Sequence, residues 1–445
     1  MGRGRVEVLV IGAGLTGLST AYHLEHQGHT DHVIVERESR PGGWAKTEWT
    51  GAWGADRAIH VLYFRDDGIR DWVAALLDHQ WARSEKDCII DSGGVRTPFP
   101  FHANLFGREP GLVEECLQGL VAASAAQRTA AEAPVTFADW IDRAMGAGVD
   151  RHFMQPYNTK MWTVPPSEMG CDWMGGFIPS VDLDRILTGS QRRCNSEIGA
   201  NSYFHYPYEG ISAVAERLSR QITAPVRYAT RVVGVDLEER RVVLSDGDVI
   251  DYEWLVSTMP LPSLIDLAAE GPPAVAEAAA CLESVDLVLA DVGFRGRAPY
   301  EAHWVYLPDR DVLAHRFHLP HLLSPRLAPR DHGLYCVEIS HSRHRPLPAG
   351  SLRERVVGDL VRTGWLKSAE DVVFFRERRF PHAYALPRVG FRAHAETVRR
   401  WLDEHQVIST GRYGEWTYAN MEDALVWGRS AASRLADVPD ASLTW

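Results

Sequence analysis

Cysteine is scarce in this 445-residue chain, and none of the six lies in a CxxC spacing. Cys88, Cys116, Cys171, Cys194, Cys281 and Cys336 are scattered, so neither a zinc site nor a disulfide framework is expected, and the thiols read as buried in a reducing compartment. Long apolar runs are missing as well. None approaches the roughly 20 residues that a spanning helix needs, so no membrane partner is expected. The N-terminus enters an apolar strand without a signal-peptide pattern, and the expected location is cytoplasmic. Positive charge is in deficit, with 47 Lys and Arg against 59 Asp and Glu for a formal net charge of -12. That removes the electrostatic footprint of a nucleic-acid binder, and phosphate ligands would have to be met by individually placed arginines. Internal repeats and low-complexity tracts are absent, and no metal site is expected.

What remains is a composition 45% hydrophobic and 24% charged, that of a globular protein with two or three domains. Its most informative segment is the first. The run Val8-Leu9-Val10-Ile11 enters Gly12-Ala13-Gly14-Leu15-Thr16-Gly17, a helix follows through His23, and Val33-Ile34-Val35-Glu36 supplies a second strand. Gly12 permits the tight turn, Gly14 lets the backbone approach a pyrophosphate at a helix N-terminus, and Gly17 brings helix and strand together. Glu36 is placed to grip a ribose hydroxyl. In this strand-turn-helix-strand-acid context the glycines predict a dinucleotide site.

A second glycine turn follows at Pro41-Gly42-Gly43-Trp44. Pro-Gly-Gly is turn chemistry in its own right, but both turns in one unit resemble the flavoproteins of the amine oxidase group. The resemblance implies FAD, with Leu15, Thr16, Arg37 and Trp44 beside the glycines.

Further along, residues 101–199 turn helical, with an alanine-rich stretch over 112–133 and another helix over 137–145. Strand patterning returns at residues 226–228, 232–237, 241–245 and 254–261, and from 285 to 375 apolar and polar residues alternate as in an antiparallel sheet. The expected fold is therefore α/β, with a discontinuous Rossmann-like FAD-binding domain (1–95, 200–262 and 376–445). An inserted helical substrate-side domain (96–199) and an antiparallel β-sheet substrate domain (263–375) complete it.

Three blocks narrow the family. Residues 153–165 with Cys171-Asp-Trp173, and residues 97–105, resemble the substrate side of UDP-galactopyranose mutases, especially the eukaryotic kind. That resemblance implies that Phe99, Phe101, Tyr157, Asn158 and Trp162 surround the nucleotide. Trp304-Val-Tyr306, followed by Ala314-His-Arg316, resembles the mutases' mobile substrate loop, with Arg316 matching the arginine on the diphosphate. The third block comprises residues 378–387 and 411–423. There Tyr384 and Tyr418 match tyrosines that hold the diphosphate, and Gly411, Arg412, Asn420 and Met421 fall on the flavin side. His60 matches the histidine loop over the flavin, although the family's Gly-Gly before it is Ala58-Ile59 here, which implies a stiffer loop.

Two further departures bear on substrate. The second diphosphate arginine of the eukaryotic mutases falls on Phe177, with Arg185 nearby as a replacement. The glutamine that helps read uracil falls on His102, so the base is left open.

The resemblance implies a flavin-dependent mutase that interconverts pyranose and furanose forms of a nucleoside-diphosphate hexose without net redox change, through a reduced-flavin N5–sugar adduct. FAD would act in its reduced form, with NAD(P)H as reductant and His60, Arg316, Tyr384 and Tyr418 as the catalytic set. Each block also has an ordinary reading, since a Trp-x-Tyr strand is commonly a core edge and tyrosines near prolines commonly cap loops. An FAD-dependent oxidase or desaturase of the amine oxidase type shares both glycine turns and stands as the alternative. A flavin-binding protein without catalysis is a third reading. Oligomeric state is left open.

Overall fold

Val8, Leu9 and Val10 are buried in succession, so both faces of the opening strand are covered and it belongs inside a sheet. In the computed structural model, which describes residues 3–127, 133–174, 178, 182–194, 202–268 and 271–436, the strand Arg3–Ile11 lies between two parallel neighbours, His32–Val35 and Val249–Ser257. Val226–Arg227 extends the sheet beyond His32–Val35, and Val407–Ser409 pairs with the C-terminal end of Val249–Ser257. Its N-terminal half carries instead the antiparallel strands Arg241–Leu244 and Val232–Asp236. Segments far apart in sequence thus meet in one α/β unit, with the helix Leu15–His26 packed against the C-terminal helix Met421–Ala436.

A second sheet runs in the order Val372–Ala385, Ser284–Arg295, His332–His341, Arg316–His318, Trp304–Tyr306, Cys88–Ser92, Val95–Pro98. Three of these strands, Cys88–Ser92, Val95–Pro98 and Val372–Ala385, fall in or beside the stretches that sequence patterning assigned to the nucleotide unit. Cys88, Ile89 and Ile90 are apolar and buried, and they satisfy their backbone groups by pairing in parallel with Trp304, Val305 and Tyr306. The sheet is consequently mixed at this one junction and antiparallel elsewhere.

The helices Pro110–Gln127 and Phe137–Val149 pack against each other, and Gln155–Trp162 follows and contacts the strand His332–His341. Thr136 caps the second of them, accepting from the Asp139 N–H while the Asp139 carboxylate accepts from the Thr136 N–H, a reciprocal arrangement that fixes where the helix starts. The helix Gln155–Trp162 forms one wall of the central cavity, and the second sheet forms another. All six cysteines are free thiols. No helix among the described residues is long and apolar enough to cross a membrane, and none of their His, Cys, Asp or Glu clusters is suited to a metal ion.

Candidate active site

A single cavity of about 870 Å³ runs from the first glycine turn to the substrate-side helix. Its nucleotide end is shaped by close backbone contacts. Gly12 has φ +102°, and a Cβ there would meet Thr258 Oγ1 at 2.2 Å; a Cβ on Gly17 would meet the Gly12 carbonyl at 1.9 Å. Gly17 therefore serves helix–strand packing and does not line the cavity. A Cβ on Gly14 would find only Gly43 Cα, at 3.9 Å, so the space beside it is open to a ligand. Glu36 Oε2 accepts from the Ala13 N–H at 2.7 Å and Oε1 from the Glu38 N–H at 2.8 Å. The carboxylate thus braces the turn while its remaining lone pairs stay available for a ribose hydroxyl.

The second glycine turn is tied to the first by a hydrogen bond from the Gly42 N–H to the Ala13 carbonyl, 2.8 Å. Arg57 then donates to the Gly43 carbonyl and to both Glu38 and Glu48, and Lys46 donates to Glu38 at 2.6 Å. Burial alone would raise the Glu38 carboxyl, but the bonds from Arg57 and Lys46 hold it down at about 2. The charge network makes the turn rigid before any ligand arrives.

Gly411, Arg412, Asn420, Met421 and His60 line the same space, with Gly411 directly against the first glycine turn, where an added Cβ would meet Thr16 Oγ1 at 2.7 Å. The buried Arg412 Nε has no hydrogen-bond partner, a deficit that an acceptor-rich ligand would repair. Ala58 takes φ +63°, a left-handed conformation that favours glycine, and thereby carries the loop to His60 in spite of its Cβ. Desolvation lowers the His60 ring to about 4, only partly offset by the Ala58 carbonyl at 3.3 Å from Nδ1. The imidazole is neutral at ordinary pH.

The remaining walls are aromatic. Tyr306 stacks on Phe99 at 4.9 Å, Tyr157 meets Tyr306 edge-on at 5.3 Å, and Trp304 Nε1 donates to the Tyr306 hydroxyl at 3.0 Å. Trp162 stands edge-on to both Tyr384 and Tyr418, 5.8 Å from each. Tyr384 is brought there by a bulge. Between the pairs Val285–Tyr384 and Leu287–Phe380, residues 381–383 oppose Asp286 alone, and the Asp286 carboxylate accepts the His382 N–H at 2.9 Å. Such an insertion re-aims the side chains that follow it. Asn158 spends an amide N–H on the Met154 carbonyl, 2.8 Å, which leaves its oxygen as an acceptor.

Arg316 is held by Glu338. Nε and Nη2 donate to the two carboxylate oxygens at 3.1 and 2.6 Å, so the cation expected on a diphosphate already carries a counter-charge. The Trp304–Arg316 segment is also anchored, since the buried Lys160 Nζ donates to the carbonyls of Leu307 and Asp309 at 2.6 and 2.9 Å.

Three expected residues stand elsewhere. Phe101 is buried behind the cavity wall, stacked on Phe153 at 5.2 Å, and Phe153 takes its place on the surface of the cavity. His102 does not line the cavity either; the 3-10 turn Phe101–Ala103 folds both side chains into the core. Arg185, in the helix Leu183–Gln191, is likewise absent from the lining, and Phe177 lies outside the described residues. Besides arginines such as Arg316 and Arg412, the cavity is bordered by the cation Lys86, beside the Phe99 ring at 5.6 Å. Tyr63 also lines the cavity, and no spacing in the sequence marks Lys86, Tyr63 or Glu338.

The fold is shared with the crystal structure of reduced UDP-galactopyranose mutase, at TM-score 0.90 and 24% identity over 97% of this chain and 96% of that one. Cyclohexylamine oxidase from Brevibacterium oxydans shares it at TM-score 0.71 and 18% identity, over 97% and 99%. Among curated proteins, a Baeyer-Villiger monooxygenase of Streptomyces coelicolor is 29% identical over 101 residues, 22% of this chain and 19% of that one. A D-proline dehydrogenase of Pyrobaculum islandicum is 51% identical over 41 residues, 9% and 11%. The chain thus matches less than a fifth of the length of these two curated relatives. The sequence pattern of the flavin-containing amine oxidoreductases matches residues 15–436, and the chain belongs to that family.

Proposed function

We propose that the protein is a nucleotide-sugar mutase, interconverting pyranose and furanose forms of a nucleoside-diphosphate hexose with no net oxidation. The observation that carries this reading is the composition of the wall beyond the flavin end, where Arg316, Arg412, Tyr384 and Tyr418 share one cavity with stacked aromatic rings. Guanidinium and phenol groups suit a diphosphate, and aromatic faces suit a base. An amine or an alkene would make no use of that set.

FAD fits the nucleotide end, because the space beside Gly14 is open and the buried Arg412 Nε lacks an acceptor. Gly12, Gly14, Leu15, Thr16, Glu36, Arg37, Gly42, Gly43 and Trp44 would hold its adenosine diphosphate half, with His60, Gly411, Arg412, Asn420 and Met421 toward the ring. When bound and reduced, the flavin supplies the nucleophile for the anomeric carbon, and NAD(P)H is the proposed reductant.

The protein's own groups then act by holding and excluding. Arg316, Tyr384 and Tyr418 retain the departing diphosphate close enough to return, which keeps the step effectively intramolecular. Phe99, Tyr157, Tyr306 and Trp162 fix the nucleotide and keep water from competing for the activated sugar. His60 would meet the ring as an uncharged imidazole near neutrality.

The test is anaerobic incubation of dithionite-reduced protein with UDP-, TDP- and GDP-hexoses, with furanose products sought by chromatography and NMR. Furanose from at least one of them is expected. Turnover confined to oxidised flavin, with oxygen uptake, would instead establish the oxidase alternative.

A further inference from the structure

Glu338 touches no part of the cavity, yet it is fully buried and lies directly opposite Arg316 in the pairing of Arg316–His318 with His332–His341. Directly opposed residues of an antiparallel pair share a face, so the register itself delivers the carboxylate to the guanidinium. The bond is bidentate, at 3.1 and 2.6 Å. Oε1 also accepts the backbone N–H of Ile59 at 3.3 Å, in the loop that carries His60. Two histidines complete the surroundings, His318 Nδ1 at 3.4 Å and His315 Nε2 at 3.7 Å. Burial would raise this carboxyl, but Arg316 and His318 hold it well below the usual carboxylate range. It is a fixed negative charge.

Three consequences follow from this geometry. A guanidinium bonded through Nε and Nη2 cannot rotate about its plane, and it offers its Nη1 edge to a ligand in one orientation. The pair is close to neutral, so an incoming anion meets directed donors but little net charge. The loop at Ile59 and the arginine are anchored to one oxygen, so neither can shift without loading the other.

We propose that Glu338 is a positioning residue. It orients Arg316 toward the diphosphate and tempers its charge, so that the anion is held during the reaction and still released, and it joins that orientation to the loop of His60. The role in turnover rests on the mutase reading above; the tempering of charge does not.

The test compares FAD-loaded wild type with Glu338→Gln and Glu338→Asp, using inorganic pyrophosphate in calorimetric titrations and reduced-enzyme turnover with the nucleotide sugar. Removing the negative charge should make Glu338→Gln bind pyrophosphate about fivefold tighter or more, while kcat falls about tenfold or more and KM falls with it. Glu338→Asp keeps the charge and loses the geometry. Its pyrophosphate affinity should stay within about twofold of wild type while kcat drops about tenfold. A merely structural carboxylate predicts the opposite for Glu338→Gln, pyrophosphate binding that weakens in step with turnover, and that result overturns the proposal. So does an unchanged affinity. Should Glu338→Gln fail to retain FAD, Glu338→Asp decides alone: affinity and kcat falling in proportion, or neither changing, overturns the assignment. Wild type that binds pyrophosphate but converts no nucleotide sugar refutes the mutase reading, and the pyrophosphate titrations still judge the role in charge.

Discussion

The guanidinium of Arg412 stands 4.9 Å over the ring of Tyr418, and it is 5.6 Å from that of Tyr384, so one cation is flanked by two phenols. Changing either tyrosine to phenylalanine keeps the ring contacts and removes only the hydroxyl. If those hydroxyls bond the diphosphate, Tyr384→Phe and Tyr418→Phe should each weaken nucleoside-diphosphate binding about tenfold, the worth of one hydrogen bond near a charge. Melting temperature should barely move. Titration with UDP, TDP and GDP checks this, and unchanged binding in both variants would remove the tyrosines from the diphosphate site.

Ala58 offers a second test, because its φ of +63° costs an L-residue about 1–2 kcal/mol that glycine does not pay. Glycine adds freedom to the unfolded chain, which offsets part of the gain. Thermal unfolding of Ala58→Gly should therefore show stability unchanged or slightly raised. A loss of about 1 kcal/mol, the usual outcome for a buried Ala→Gly change, would mean that the loop is not strained.

Asp56 sets a pH dependence of folding. Its buried carboxylate accepts from Thr47 Oγ1 at 2.6 Å and the Tyr206 hydroxyl at 2.8 Å, and burial nevertheless raises its pKa from 3.8 to about 7. The folded state thus holds this proton more tightly than the unfolded state. The resulting stabilisation is fully present below about pH 4 and is lost as pH rises through 7, by up to about 4 kcal/mol. Denaturant melts should show wild type losing stability relative to Asp56→Asn as pH rises across that window, since the amide does not titrate. A difference independent of pH would contradict the assignment.

Histidine should leave no mark on the pH dependence of the rate. Burial lowers His60 and His102 to about 4 and His315 to about 3, all neutral between pH 5 and 8. The pH profile of kcat/KM should carry no limb from these rings, and His60→Gln should alter its height without altering its shape. A limb near pH 6.5 that disappears in His60→Gln would assign that histidine a proton-transfer role.

The nucleotide end was legible in the sequence because backbone geometry there dictates residue type. Gly12 takes φ +102°, and at Gly17 a side chain collides with the Gly12 carbonyl; both features follow from a strand-turn-helix unit readable from 36 residues. The substrate end depends on tertiary events that no local pattern encodes. Tyr384 reaches the cavity through a bulge opposite Asp286, and Glu338 reaches Arg316 through strand register. The family resemblance implies ligand contacts at Phe101 and His102, but a 3-10 turn carries them into the core behind Phe153. The strand Cys88–Ser92 joined the second sheet because its buried residues found parallel partners more than 200 positions away.

The central claim is that the bound flavin is not consumed, and its most direct measure is the number of product molecules formed per flavin reduced. The protein is reduced once with stoichiometric dithionite under argon, then given excess nucleotide sugar with no further reductant. Many furanose products per flavin, with the absorbance of the reduced flavin unchanged at the end, is the result this account predicts. No more than one product per flavin, with reoxidation of the flavin in step with product, would contradict it.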